Sequence, residues 1–206
     1  MTGQLWWYTA RSSGITSWVL VTASVLWGLA LSTKVTKGRP RPNSLLDLHR
    51  FLGAAAVVFT AIHVGSIVAD SYVHFGLTDV LVPFASSWHP AAVAWGIVGM
   101  YLLLAVEATS LLRKHLSKRA WRATHFLSFP LFAMATIHGL TAGTDASAPL
   151  LRGGIFIGTL AVATLAIVRT LQATAPPPRP GPRPEPTRAP VQEARTMRRA
   201  DARIVT

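Results

Sequence analysis

The chain has 206 residues, 50% of them hydrophobic and only 14% charged, against about 25% charged in an average soluble domain. Twenty Lys and Arg against eight Asp and Glu give a formal net charge of +12, which fits either a nucleic-acid binder or a membrane protein with its charge gathered on one side. Cysteine is absent, which excludes disulfides, thiolate metal sites, iron–sulfur ligation and C-x-x-C-H haem attachment.

The placement of the apolar residues decides between the two. Residues 14–32 are uncharged, as are 51–69; residues 91–112 carry only Glu107; residues 123–144 are uncharged; and 153–168 continue apolar on both sides, from 149 to 171. Each run can cover about 30 Å of hydrocarbon at about 1.5 Å per residue. Gly and Ala recur within them, as helices need where they approach closely in lipid. A cleaved secretory signal is the weaker reading of the first run, because no basic stretch precedes it and Arg11 stands at its start. The expectation is an all-α membrane protein, a five-helix transmembrane bundle over residues 1–174.

Charge sets the expected orientation. Lys34, Lys37, Arg39, Arg41 and Arg50 lie between the first two runs, and Arg113, Lys114, Lys118, Arg119 and Arg122 between the third and fourth. Arg169 and seven further arginines follow the fifth, so 18 of the 20 basic residues fall on one side. The positive-inside rule then puts the N-terminus outside and the C-terminus in the cytoplasm. Trp6, Trp7, Trp88 and Trp121 fall at the expected interfaces. The charge is therefore a topology signal, and no nucleic-acid partner is expected. Residues 175–206 are rich in Pro and Arg (PPPRPGPRPEPTRAP). That composition predicts a disordered cytoplasmic tail attracted to anionic lipid, or less readily one that binds a cytoplasmic protein.

Four of the seven histidines form a pattern. His49 and His63 bracket the second run, 14 residues apart; His125 and His138 bracket the fourth, 13 apart. Both runs cross in the same direction, so His49 and His125 share one depth and His63 and His138 another, about 20 Å away. Ionisable groups within a membrane are costly and point to function. A haem iron with two axial imidazoles would give each neutral His a strong partner, and two such haems would carry electrons across the bilayer. The bland alternative is a set of interhelical hydrogen bonders. At about 100° per residue, 14 residues return His63 to the face of His49, but 13 leave His138 about 140° from His125. Pro130 between them can kink the helix and re-aim one ring.

Other residues carry weaker signals. Gly53-Ala54-Ala55-Ala56 leaves room for a flat macrocycle, or serves plain helix packing. Phe129 and Phe132 lie between the two histidine levels. Arg50, Arg122 and Arg11 can pair with haem propionates or simply snorkel. His74, His89 and His115 fall in expected loops. Glu107 is expected to reach a neighbouring Lys or Arg, with a proton relay as the alternative.

The stretches LHRFLGAAAVVFTAIH, VPFASSWHPAAVAWGIVGMYLLL and RAWRATHFLSFPLFAMATIHGLTAGTD, with the opening WWYTARSSG, resemble the ferric reductase-like transmembrane family. That family includes the membrane domains of ferric reductases and NADPH oxidases, and the haem subunit of a bacterial methionine sulfoxide reductase system. The similarity covers roughly residues 6 to 171, and its most specific feature is the 14- and 13-residue His spacing. The resemblance implies two b haems, His49 with His125 on the inner one and His63 with His138 on the outer one. The family usually has six spans where five are read here. Its reductases and oxidases fuse or recruit a flavin/NAD(P)H domain, whereas no G-x-G-x-x-G occurs in these residues.

The expected function is a di-haem b-type electron-transfer protein in a cell membrane, most simply a bacterial plasma membrane. A separate flavoprotein reductase or a quinol would donate on the cytoplasmic side, and ferric iron, oxygen or a partner enzyme would accept outside. Two rival readings are a haem-bearing anchor subunit for a separate soluble reductase, and a haem-free membrane scaffold or transporter.

Overall fold

A computed structural model describes residues 2–33, 42–70 and 74–174. The tail from residue 175, and with it the expectation of disorder there, lies outside the described residues, as do Lys34, Lys37, Arg39 and Arg41. Every regular element among the described residues is helical: α1 (Thr2–Thr33), α2 (Pro42–Ala69), α3 (Leu77–Leu81), α4 (Pro90–Leu111), a 3-10 turn at Arg113–His115, α5 (Lys118–His125), α6 (Ser128–Ala142) and α7 (Pro149–Thr174). Proline opens α2, α4 and α7, where its missing N–H would have had no helical acceptor and its fixed φ suits the first turn. Polar side chains inside α1 are satisfied locally: the hydroxyls of Ser12, Thr16 and Thr22 each donate at 2.8 Å to the carbonyl four residues back, which hides them from an apolar surrounding.

Four helices are long and apolar enough to cross a membrane: α1 over Gln4–Thr33, α2 over Asn43–Ala69, α4 over Pro90–Leu111 and α7 over Pro149–Thr174. The expected fourth span differs. Residues 123–144 do not form one helix but the end of α5 and all of α6, with a turn at Phe126 and Leu127. Pro130 accounts for the break. It has no N–H to give to the Phe126 carbonyl, and that carbonyl instead accepts from Phe129 N at 3.2 Å, while Leu127 N turns to Thr124 O at 3.0 Å. Both are i to i−3 bonds, so the chain tightens there. Ser117 caps α5 by accepting from Ala120 N at 3.1 Å.

α1 lies along α2, α4 lies along α6, and α1 also packs against α6. Their common core holds Val21, Val25 and Leu29 of α1, Ala56 of α2, Leu103 of α4, Leu131 and Phe132 of α6 and Val162 of α7. Side-chain hydrogen bonds tie the helices: Trp18 Nε1 to Thr136 Oγ1 at 3.1 Å, Trp27 Nε1 to Leu45 O at 2.9 Å, and Ser17 Oγ with Thr60 Oγ1 at 2.7 Å. Large apolar side chains cover the outside, with Phe51 65% and Phe156 69% exposed. A water-soluble protein buries such residues; a multi-pass membrane protein turns them to lipid.

Candidate functional site

The structure brings the four histidines together in two facing pairs. The rings of His49 on α2 and His125 at the end of α5 have centroids 6.0 Å apart and planes at 79°. Those of His63 on α2 and His138 on α6 lie 6.2 Å apart at 78°. The turn at 126–127 absorbs the awkward 13-residue spacing. With the chain tightened at this turn, His125 faces His49 although an ideal helix would aim it elsewhere.

Three of the rings are fixed by backbone. Nδ1 of His63 donates to Ala10 O at 2.7 Å, Nδ1 of His138 to Ala92 O at 2.8 Å, and Nδ1 of His49 to Ser24 O at 3.1 Å. A carbonyl can only accept, so the proton of each neutral ring sits on Nδ1 and the Nε2 lone pair is left over. One turn beyond each acceptor is a glycine against which the ring lies. A Cβ would meet Nδ1 of His63 at 2.8 Å if built on Gly14, Nδ1 of His138 at 2.7 Å on Gly96, and Cε1 of His49 at 3.2 Å on Gly28. Each cradle is thus a carbonyl and, four residues on, a missing side chain. The two on α1 repeat at 14 residues, matching antiparallel the His spacing on α2.

The fourth ring is different. Nδ1 of His125 is buried with no hydrogen-bond partner, as is Nε1 of Trp121. The Trp121 indole stacks on the imidazole (5.1 Å, 21°), and the Arg113 guanidinium lies over the indole at 4.5 Å.

The pairs have the dimensions of a bis-imidazole metal site. A metal–nitrogen bond of about 2 Å, with about 1.1 Å from nitrogen to ring centre on each side, separates two trans imidazole centroids by about 6.2 Å. Donation of the second ring nitrogen to a carbonyl is also the usual arrangement for a ligating histidine. An ordinary interhelical hydrogen bond would use Nδ1 and leave Nε2 unmatched in an apolar medium. No Nε2 of the four makes a hydrogen bond among the described residues.

The arginines are less uniform. Arg11 gives Nε to Asp145 Oδ2 at 2.7 Å, pairs through Nη2 with the other carboxylate oxygen, and lies 4.0 Å over the Trp7 ring. Arg50 is exposed and pairs with Asp47 at 3.3 Å. Arg122 is exposed on α5.

One expectation needs correction. Glu107 makes no ion pair among the described residues; its carboxylate lies in the space left by Gly53. Gly53 therefore admits Glu107 between α2 and α4, and Ala56, fully buried in the core, serves packing. His74, His89 and His115 lie outside the α-helices as expected. Sequence pattern alone does not single out Gly14, Gly28 and Gly96, although Gly14 and Gly28 repeat at the spacing of His49 and His63.

Residues 13–136 match the family model of the ferric reductase like transmembrane component. The match takes in His49, His63 and His125 and ends two residues before His138. No curated protein and no solved structure matches the chain significantly.

Proposed function

The chain belongs to the ferric reductase-like transmembrane family, and from that membership and its paired imidazoles we propose a di-haem b-type protein that carries electrons across a membrane. His49 and His125 hold one haem, and His63 and His138 the other. The observation that carries the reading is the pair of imidazole separations, 6.0 and 6.2 Å, each with the reach of one six-coordinate iron. Haem supplies the one-electron ferric/ferrous couple.

The protein's own residues do the rest. The carbonyls of Ala10, Ser24 and Ala92 orient three rings, fix their tautomers and raise their basicity as ligands. Gly14, Gly28 and Gly96 let the rings approach the backbone that holds them. Phe132 and Leu131 sit in the buried core between the two levels and keep water from the path. Arg50, Arg122 and Arg11 are the cations available to propionates, Arg11 with the donors that Asp145 leaves free.

The five-span arrangement follows if α5 and α6 together make one crossing. The basic segments then put the His49–His125 level on the cytoplasmic side. A separate flavoprotein reductase or a quinol supplies electrons there, and an acceptor outside receives them from the His63–His138 level. The setting that suits this circuit is a bacterial plasma membrane, with the Pro/Arg-rich tail on the cytoplasmic face against anionic lipid.

The test is a dithionite-reduced minus oxidised spectrum of the purified full chain with haem quantification. Two b haems per chain are expected, and His63→Ala is expected to remove one. Protein with no Soret band, or with haem content unchanged by His63→Ala, sinks the proposal.

A further inference from the structure

Two observations set His125 apart from the other three imidazoles. Its Nδ1 is buried and without an acceptor. Ligation through Nε2 places the proton on Nδ1, so this ring alone would bind with an unmade hydrogen bond and without the basicity that a carbonyl partner confers.

Its support is also the slightest. His125 ends α5, an eight-residue helix with no buried residue, which packs on α4 and is parted from α6 by the turn at Phe126 and Leu127. His49 and His63 stand on the 28-residue α2, and His138 on α6 among buried Leu131, Phe132 and Thr136.

From this we infer that His125 is a displaceable axial ligand. The haem it shares with His49 takes up a small neutral ligand of the carbon monoxide class on the His125 side when the iron is ferrous. The inference rests on the di-haem reading. In the exchange the bond from iron to His125 Nε2 breaks and one bond to the entering molecule forms. The imidazole leaves neutral, with its proton still on Nδ1, and no electron is transferred. Release needs only a movement of the short α5, whereas at the other three positions the ring would have to part from its carbonyl.

The experiment uses the full chain in detergent with both haems, reduced with dithionite and titrated with carbon monoxide. One molecule bound per chain is expected, with half of the Soret amplitude shifting. His125→Ala keeps that stoichiometry at one and binds faster, because no ligand has to leave first. Trp121→Gln places a neutral acceptor one helical turn from His125 and slows binding about fivefold, whereas Trp121→Phe keeps the stacked ring and the original rate. If His125→Ala loses the haem altogether, the two Trp121 variants decide. No binding by the native protein, two molecules per chain in His125→Ala, or an unchanged rate in Trp121→Gln overturns the inference. A preparation without haem bands fails before carbon monoxide is added and overturns the di-haem reading instead.

Discussion

The carbonyl of Ala10 accepts a 2.7 Å hydrogen bond from Nδ1 of His63 across the α1–α2 interface. The two residues are 53 positions apart, and the contact fixes both the height and the rotation of the ring. Gly14, one turn along α1, makes it possible, because a Cβ there would sit 2.8 Å from the same nitrogen. A helix backbone and an imidazole meet here as closely as hydrogen bonding allows.

Gly14→Ala is therefore expected to push His63 off its acceptor. Alanine suits the helix better than glycine, so α1 itself should stand. Haem content per chain should fall to about half as the ligand geometry is lost, with the far-UV circular dichroism unchanged. A pyridine haemochrome assay against protein concentration reads the result; full occupancy would show that the ring has room to adjust.

The same substitution at the other two cradles should give a graded series. Gly96→Ala meets His138 at 2.7 Å and should cost as much haem as Gly14→Ala, whereas Gly28→Ala meets His49 at 3.2 Å. A few tenths of an ångström of movement relieves that contact, and the His49 bond, at 3.1 Å, is the longest of the three. Gly28→Ala should therefore retain most of its haem. Equal losses at all three positions would mean that helix packing, and not contact with the imidazole, sets the effect.

Pro130→Ala should strike a single haem by a different route. It restores the N–H that the Phe126 carbonyl lacks, so α5 and α6 can fuse through residues 126 and 127. Thirteen residues of continuous helix turn His125 about 140° from the face of His138, away from His49. Helical ellipticity should rise slightly while about half of the haem is lost, the reverse of the usual coupling between helix content and cofactor. Pro130→Gly, which gives the N–H back but favours helix less, should lose less haem than Pro130→Ala.

The histidine pairs could be read because side-chain identity and spacing survive in the sequence, and 14 residues nearly close four helical turns. Pro130 was visible as a source of distortion, but the exchange of partners around Phe126 and Leu127 that results depends on which carbonyls are left orphaned. The acceptors Ala10, Ser24 and Ala92 could not be found from their side chains, because any residue supplies a carbonyl. Gly14 and Gly28 did leave a trace, repeating at the spacing of His49 and His63. Gly53 leaves two readings open in the sequence, room for a macrocycle or close helix packing, and the space holds the Glu107 carboxylate.

Arg11 and Asp145 offer the clearest test of energetic coupling. The two side chains are 28% exposed each, joined at both carboxylate oxygens, with the guanidinium resting on Trp7. Partial burial and two-point geometry lift such a pair above an ordinary surface ion pair, to a coupling of about 1 to 2 kcal/mol. The pair ties α1, next to the Ala10 carbonyl, to the segment that follows α6, and so closes the bundle near His63 and His138. Arg11→Ala and Asp145→Ala should each lower the thermal midpoint in detergent, and the double variant should lower it little further than either alone. Exchanging the two residues, Arg11→Asp with Asp145→Arg, should recover part of the loss. Additive single effects would mean that the arginine acts through its stacking on Trp7 and that the carboxylate contributes separately.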